Sequence, residues 1–204
     1  MGEEKFWDKL AERYAQQPIA DEAAYQRKLQ LTRECLRPDM NVLEFGCGTG
    51  GTAIRHAPHV QHITAIDFSE AMLGIARDRA SEAGVSNVSF QCADITRFDA
   101  PDASFDVVLG MSVLHLLADK DAAIAKVSRL LKPGGLFISS TACVGDTMGF
   151  FKLIAPLGKA VGLLPQLDVM KSTDLIASLT RAGFTIEQQW QPSRGKAVFI
   201  VARA

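Results

Sequence analysis

Val42-Leu-Glu-Phe-Gly-Cys-Gly-Thr-Gly-Gly51 is a short apolar run with one acidic residue, followed by four glycines within six positions. Glycines that dense let a backbone turn sharply and come within contact distance of a ligand, because no Cβ intervenes. Just beyond it, a second apolar run, His62 to Ile66, ends in Asp67. That places a carboxylate where a ribose would present two hydroxyls. Strand, glycine loop, helix, strand and acid in this order fit a nucleotide-type cofactor.

The rest of the chain continues the alternation. Tyr25, Leu29, Thr32 and Leu36 share one helical stripe, and Pro38 ends that helix before a strand at Asn41–Phe45. A helix begins near Gly51. Ser69 is placed to N-cap a helix with Met72, Ala76, Ala80 and Ala83 on one face, and Gly84 to cap its other end. Strands follow at Val88–Gln91 and Phe105–Leu109, the latter apolar enough to be buried on both faces. A helix with Ile124, Val127 and Leu131 inward precedes Lys132-Pro-Gly-Gly135 and a strand at Leu136–Ser140. Such alternation implies a parallel sheet with helices on both faces.

The C-terminal part breaks the pattern. After a helix near Ser172–Ala182, two strands are expected at Phe184–Trp190 and Ala197–Ala202, with only a polar Pro-Ser-Arg-Gly-Lys stretch between them. A parallel crossover needs about a dozen residues, so these strands pair antiparallel or not at all. The expected fold is α/β: a Rossmann-like, doubly wound, seven-stranded sheet, mostly parallel with one antiparallel C-terminal strand. One domain is expected over 1–204, with N-terminal helices within 4–36 and a substrate-capping insertion at 141–171.

Composition narrows the function classes. In 204 residues, 22 Lys and Arg nearly balance 23 Asp and Glu, so no global field recruits nucleic acid or an anionic membrane. Cys35, Cys47, Cys92 and Cys143 form no CxxC pair and read as reduced, mostly buried thiols of a cytoplasmic protein. No secretory h-region is seen at the start, and Phe6 stands where a myristoylation signal at Gly2 would want Ser or Thr. The apolar stretch Met148–Met170 is interrupted by Lys152, Pro156, Lys159 and Pro165 and makes a poor transmembrane span. His56, His59 and His62 read as surface residues. No metal site is expected, and no heptad run suggests an oligomeric state.

With these motifs in order, the chain resembles a class I S-adenosylmethionine-dependent methyltransferase over nearly its whole length. The resemblance is carried by Glu44-Phe-Gly-Cys-Gly-Thr-Gly50, Ala65-Ile-Asp-Phe-Ser69, Cys92-Ala-Asp-Ile95, Phe105-Asp-Val-Val-Leu-Gly-Met-Ser112 and Leu130-Leu-Lys-Pro-Gly-Gly135. Trp7, Asp8 and Tyr14 match the opening helix of its small-molecule methyltransferases. Any one of these motifs is weak; five in order with suitable spacing are strong.

The resemblance implies S-adenosyl-L-methionine as cofactor and a small-molecule methyl acceptor. Gly46, Gly48 and Gly50 would give backbone contact, and Cys47 main chain rather than thiol chemistry. Glu44 would steer the cofactor's ammonium or, alternatively, fix the loop. Asp67 suits the ribose hydroxyls, its alternative being a cap on the helix at Ser69. Phe68 and Ile95 would flank the adenine, and Asp94 would accept from its amino group unless it is a solvated loop carboxylate. Tyr14 would close over the methionine end or simply pack the first helix. Met72 reads as core lying near the cofactor.

Gly110, Met111 and Ser112 would line the pocket beside the transferring methyl. No Asn/Asp-Pro-Pro-Tyr/Phe run and no Pro-Cys nucleophile is seen there, which disfavours methylation of DNA bases. His115 is the candidate catalytic base, its alternative being a helix-start histidine bonded to backbone. Phe150, Phe151, Leu153, Ile154, Leu157, Val161, Leu163, Leu164 and Leu167 would make an apolar lid suited to a partly hydrophobic acceptor, or else plain packing.

Two rival functions stay open. Gly46, Gly48 and Gly51 satisfy G-x-G-x-x-G, and Asp67 lies near the spacing of an NAD-binding acid, as in an NAD-dependent oxidoreductase. Glu44, Asp94 and the terminal strands count against that reading. A catalytically silent, S-adenosylmethionine-binding regulatory subunit would carry the same loop.

Overall fold

The fold is built on a strand that has parallel neighbours on both sides. In the computed structural model, which describes residues 3–147 and 167–204, β1 (Asn41–Phe45) pairs with β2 (His62–Asp67) and with β4 (Phe105–Met111). The register sets Glu44 beside both Ala65 and Leu109. With β3 (Val88–Cys92), β5 (Leu131–Thr141), β6 (Thr185–Trp190) and β7 (Val198–Arg203), the described residues form a seven-stranded sheet in the order β3-β2-β1-β4-β5-β7-β6. Chain order reverses between β1 and β4, the kind of crevice where open α/β sheets bind ligands.

The terminal strands behave as the short connection requires. β7 runs antiparallel between β5 and β6, pairing Ser140 with Phe199 and Trp190 with Phe199. The sheet separates two apolar clusters. Leu43, Phe45, Val108 and Phe137 face α5 (Lys120–Leu130) and α6 (Ser172–Arg181). Val42, Val107, Leu109, Ile138 and Phe199 share the opposite cluster with Leu31 of α2 (Glu22–Arg33) and Ala53 of α3 (Gly51–His56). Burial on both faces is why the central strands read as continuous apolar runs.

Helix ends depart from expectation for local reasons. α2 stops at Arg33, and a tighter turn carries Leu36 outside it through a Leu36 N–H to Arg33 carbonyl bond. α5 stops at Leu130 and Leu131 is extended, because Lys132 precedes Pro133 and cannot stay helical without a clash. The strand therefore starts earlier than expected, with 132–135 looped out of register between Leu131 and Leu136. Ser69 caps α4 (Glu70–Glu82) by accepting from Met72 N–H at 3.2 Å. Met72, Ala76 and Ala80 are buried as expected, whereas Ala83 is the exposed C-cap, with Gly84 following at φ +66°.

Two further corrections concern side chains. Cys47 and Cys143 are buried, Cys35 is half-buried and Cys92 is exposed; all four are free thiols. His56 is not a surface residue but fully buried. It lies three residues after Ala53 and next to Ala57, so the helical period turns it inward with them. No helix among the described residues is long and apolar enough to cross a membrane, and these residues hold no cluster suited to a metal ion. The lid residues Phe150 to Leu164 lie outside the described residues; Leu167 is half-buried.

Candidate active site

The end of β1 explains the glycines. Gly46 has φ +63°, and a Cβ there would stand 2.8 Å from Val113 Cβ and closer still to its Cγ2. Only glycine fits without strain in that left-handed conformation. Gly48, at φ +53°, instead faces open space, its nearest potential neighbour being the Tyr14 ring at 3.9 Å. The loop is pinned by Cys47 N–H to the Ile66 carbonyl at 3.1 Å and by Gly48 N–H to the Asp67 carboxylate at 2.8 Å. Its backbone edge is thus held bare toward a cavity of about 930 Å³.

Asp67 has two structural tasks. One oxygen accepts from Gly48 and the other from Ser69 N–H at 2.9 Å. Burial raises its pKa, against the pull of those backbone hydrogen bonds. The α4 cap itself belongs to Ser69, whose hydroxyl also donates to Asp8 at 2.6 Å and so ties α1 (Glu3–Gln16) to the head of α4.

The sequence candidates divide into two groups. Tyr14, Glu44, Gly46, Cys47, Gly48 and Met111 line the cavity, and so does Ser112. Gly50, Asp67, Phe68, Met72, Asp94, Ile95 and His115 are not in its lining. Gly50 is the left-handed N-cap of α3. Met72 and Ile95 are buried, Ile95 as part of the apolar cluster under β1 and β4. Phe68 is half-buried beyond the end of β2. Asp94 accepts from Thr96 N–H at 2.7 Å and from the Thr96 hydroxyl, a local turn that leaves its second oxygen to solvent or ligand.

Glu44 is the most unusual group in the lining. It is 2% exposed, and its Oε2 has no hydrogen-bond partner among the described residues. Burial pushes its pKa up to about 8, against a hydrogen bond from Ala53 N–H and with help from the Asp67 charge. A buried carboxyl with an orphaned oxygen is an acceptor in search of a donor. Tyr14, 48% exposed, edges onto Trp7 at 6.3 Å, and desolvation followed by the Asp67 charge raises its pKa.

His115 sits in a short 3-10 turn, Leu114–Leu116, rather than at the start of an α-helix. Its carbonyl accepts from Asp168 N–H at 2.7 Å, while its Nδ1 has no partner among the described residues. Burial pushes its pKa down to about 4 despite Asp168. Ser112 has φ +57°, uncommon for a residue with a Cβ, and its N–H bonds the Ser140 carbonyl at 2.7 Å. That bond ties the ends of β4 and β5 together at the cavity mouth.

The sequence reading missed several lining residues. Arg79 donates to the Thr49 hydroxyl and to the Ala15 carbonyl, both at 2.7 Å, clamping the end of α1 to the glycine loop. Nothing in the sequence set Arg79 apart from its neighbour Arg77 on the same helix. Thr32, His56 and Ser140 also line the cavity, with side-chain atoms that lack partners among the described residues.

Residues 42–135 match a family described as a methyltransferase domain. A 27-O-demethylrifamycin SV methyltransferase from Amycolatopsis mediterranei is 41% identical over 174 residues, covering 79% of this chain and 62% of that protein. An uncharacterised methyltransferase of Bacillus subtilis is 33% identical over 138 residues, covering 68% of this chain and 54% of its own. The alignments thus span 54% and 62% of these two relatives' length. Among solved structures, the N-methyltransferase NodS from Bradyrhizobium japonicum, in complex with S-adenosyl-L-homocysteine, matches with a TM-score of 0.73. That match covers 100% of this chain and 98% of NodS at 23% identity, and so concerns the fold.

Proposed function

The chain belongs to the class I S-adenosylmethionine-dependent methyltransferases, and on that premise we propose that it transfers a methyl group to a small, partly apolar acceptor. The observation that carries the proposal is Glu44, whose buried oxygen has no partner among the described residues and lies in the same cavity wall as the bare edge of the glycine loop. The cofactor's methionine ammonium has the donors that this oxygen lacks. Gly46, Cys47 and Gly48 would hold the methionine end, with Tyr14 over it. Each Asp67 oxygen accepts one backbone N–H and retains a lone pair for a ribose hydroxyl. Phe68 and Asp94, with Ile95 behind them, would meet the adenine.

When bound, S-adenosylmethionine supplies a methyl group already activated by its positively charged sulfur. The chain has then mainly to align the acceptor and exclude water, and alignment alone contributes about 7–11 kcal/mol in favourable systems. Met111 and Ser112, at the end of β4, would fix the acceptor atom opposite the glycine loop. A base is needed only for an acceptor that arrives protonated. His115 would serve only an acceptor that reaches past Met111 and Ser112, and normal turnover by His115→Ala across pH would remove it from the mechanism.

Glu44 disfavours the dinucleotide reading, because a pyrophosphate on this loop brings no ammonium to draw the buried carboxyl into its ionised form, and any ionised fraction would repel it. The cytoplasmic setting is part of the proposal, supported by four free cysteines. The test is formation of S-adenosyl-L-homocysteine by the isolated chain with pooled phenols, amines and carboxylic acids. Acceptor-dependent product is expected. Tight cofactor binding with no product from any pool, together with a stoichiometric protein partner on purification, would favour a regulatory subunit instead.

A further inference from the structure

The cavity does not stop at the glycine loop. It continues between α2 and α3 toward the loop joining β6 and β7, where its lining includes Tyr25, Lys28, Thr32, Arg55, His56 and Lys196. This wing carries three cations, and Asp21 is its carboxylate. Asp21 is already engaged, with Lys196 at 3.5 Å and with Ala24 N–H at 3.1 Å as the N-cap of α2. Arg55 is engaged too, donating to the Gly51 carbonyl at 2.9 Å and lying 5.4 Å from the Tyr25 ring centre. Lys28 differs. It makes no hydrogen bond and no ion pair with any described residue, although it is half-buried, and desolvation lowers its pKa against the longer-range charge of Asp21.

The neutral polar groups of the wing repeat the pattern. His56 is 0% exposed, and neither ring nitrogen has a partner among the described residues. Thr32, also 0% exposed, has an unpartnered Oγ1. Burial, followed by the charges of His59, Arg33 and Arg55, lowers the His56 pKa to about 4. The ring is therefore neutral at ordinary pH and offers one donor and one acceptor. A buried polar atom without a partner costs about 1–3 kcal/mol. Two such side chains share the lining of one cavity with an ammonium that has no partner among the described residues, and together they form a built site.

We propose that this wing is the acceptor site and that the acceptor is a small anion, its charged group held by Lys28 together with His56 and Thr32. Leu29 and Tyr25, which share the lining, would take the apolar part. Carboxylate and phosphate share the chemistry that Lys28 recognises. The inference rests on the methyltransferase reading, since it makes the wing the approach to the methyl donor. Its rival is that Lys28 instead pairs with the methionine carboxylate of the cofactor.

The test uses benzoate, phenyl phosphate and the uncharged isostere benzamide, with binding followed through the His56 ring signals by NMR. Binding of S-adenosyl-L-homocysteine is measured alongside by calorimetry. Benzoate or phenyl phosphate should move the His56 signals saturably, and benzamide should bind far more weakly; the stronger of the two anions identifies the charged group. Lys28→Gln should weaken that anion about tenfold or more, as loss of a charge-assisted hydrogen bond implies. Lys28→Arg should retain it, and S-adenosyl-L-homocysteine affinity should stay within about twofold in both variants. Equal binding of benzamide, or no His56 response to either anion at about 20 mM, overturns the proposal. Loss of S-adenosyl-L-homocysteine binding in Lys28→Gln assigns the lysine to the cofactor and also overturns it. Anion binding without any binding of S-adenosyl-L-homocysteine would support the anion site while contradicting the methyltransferase reading.

Discussion

Gly48 donates its backbone N–H to the carboxylate of Asp67 at 2.8 Å, joining the loop after β1 to the end of β2. The two sequence features that first suggested a nucleotide-type cofactor are therefore one mechanical unit. Asp67→Ala would leave the N–H groups of Gly48 and Ser69 without their carboxylate acceptor. We expect affinity for S-adenosyl-L-homocysteine to fall tenfold or more, as loss of about 1–3 kcal/mol per buried group implies. Asp67→Asn, which keeps one acceptor oxygen, should lose less. Calorimetric titration of both variants checks the order.

Glu44 makes binding of the cofactor a proton-linked event. Its pKa of about 8 means that the carboxyl is largely protonated at pH 7. An ammonium docked on it favours the carboxylate, so the proton should leave on binding. Titrations near pH 7 in buffers of different ionisation enthalpy should report release of up to one proton, and Glu44→Gln should report none. The effect on stability follows from the same shift. The folded state holds this proton above the ordinary carboxylate range and up to about pH 8, where the unfolded chain has lost it, so stability should fall as pH rises through that window. Glu44→Gln should flatten that fall in denaturant unfolding.

His56 carries the opposite sign. Its pKa of about 4 lies below the ordinary histidine value, so between about pH 6.5 and 4 the unfolded chain binds a proton that the folded chain refuses. Stability should decline as pH falls through this window. His115 is depressed to about 4 as well, so His56→Leu should remove part of the decline and not all of it. At neutral pH His56→Leu should unfold at equal or higher denaturant, by up to about 2 kcal/mol, because it removes unpaired buried nitrogens. Benzoate binding should be lost in the same variant. Stability gained with binding lost is what distinguishes a ligand-facing histidine from a packing one.

Gly46→Ala sets a Cβ against Val113 in a left-handed conformation. It should destabilise the chain by about 2 kcal/mol or more. Adding Val113→Ala should recover part of that loss, since the contact with Cγ2 is removed while the 2.8 Å contact with Cβ and the backbone strain stay. Urea unfolding of the single and double variants measures both parts.

Much of the fold was legible because its signals are local. Asn41–Phe45 was bounded correctly by the glycines that follow, Ser69 by its capping chemistry, and the final strand pair by a connection too short for a crossover. Boundaries slipped where a neighbour decides the backbone, as at Leu131 before Lys132-Pro133. The site was half legible. A glycine loop announces itself because few other residues tolerate its conformation. Thr32, Lys28 and His56 gave no such signal, since their meaning comes from α2 and α3 closing over one face of the sheet. The first of three histidines near a strand reads as surface until the helical period is counted from Ala53.

The most direct measurement is calorimetric titration of purified, cofactor-free protein with S-adenosyl-L-methionine, S-adenosyl-L-homocysteine and NAD. Saturable one-to-one binding of the first two, weakened by Asp67→Ala and without a response to NAD, is the expected result. Binding of NAD alone would contradict the methyltransferase reading and make the Gly46–Gly51 loop a dinucleotide site.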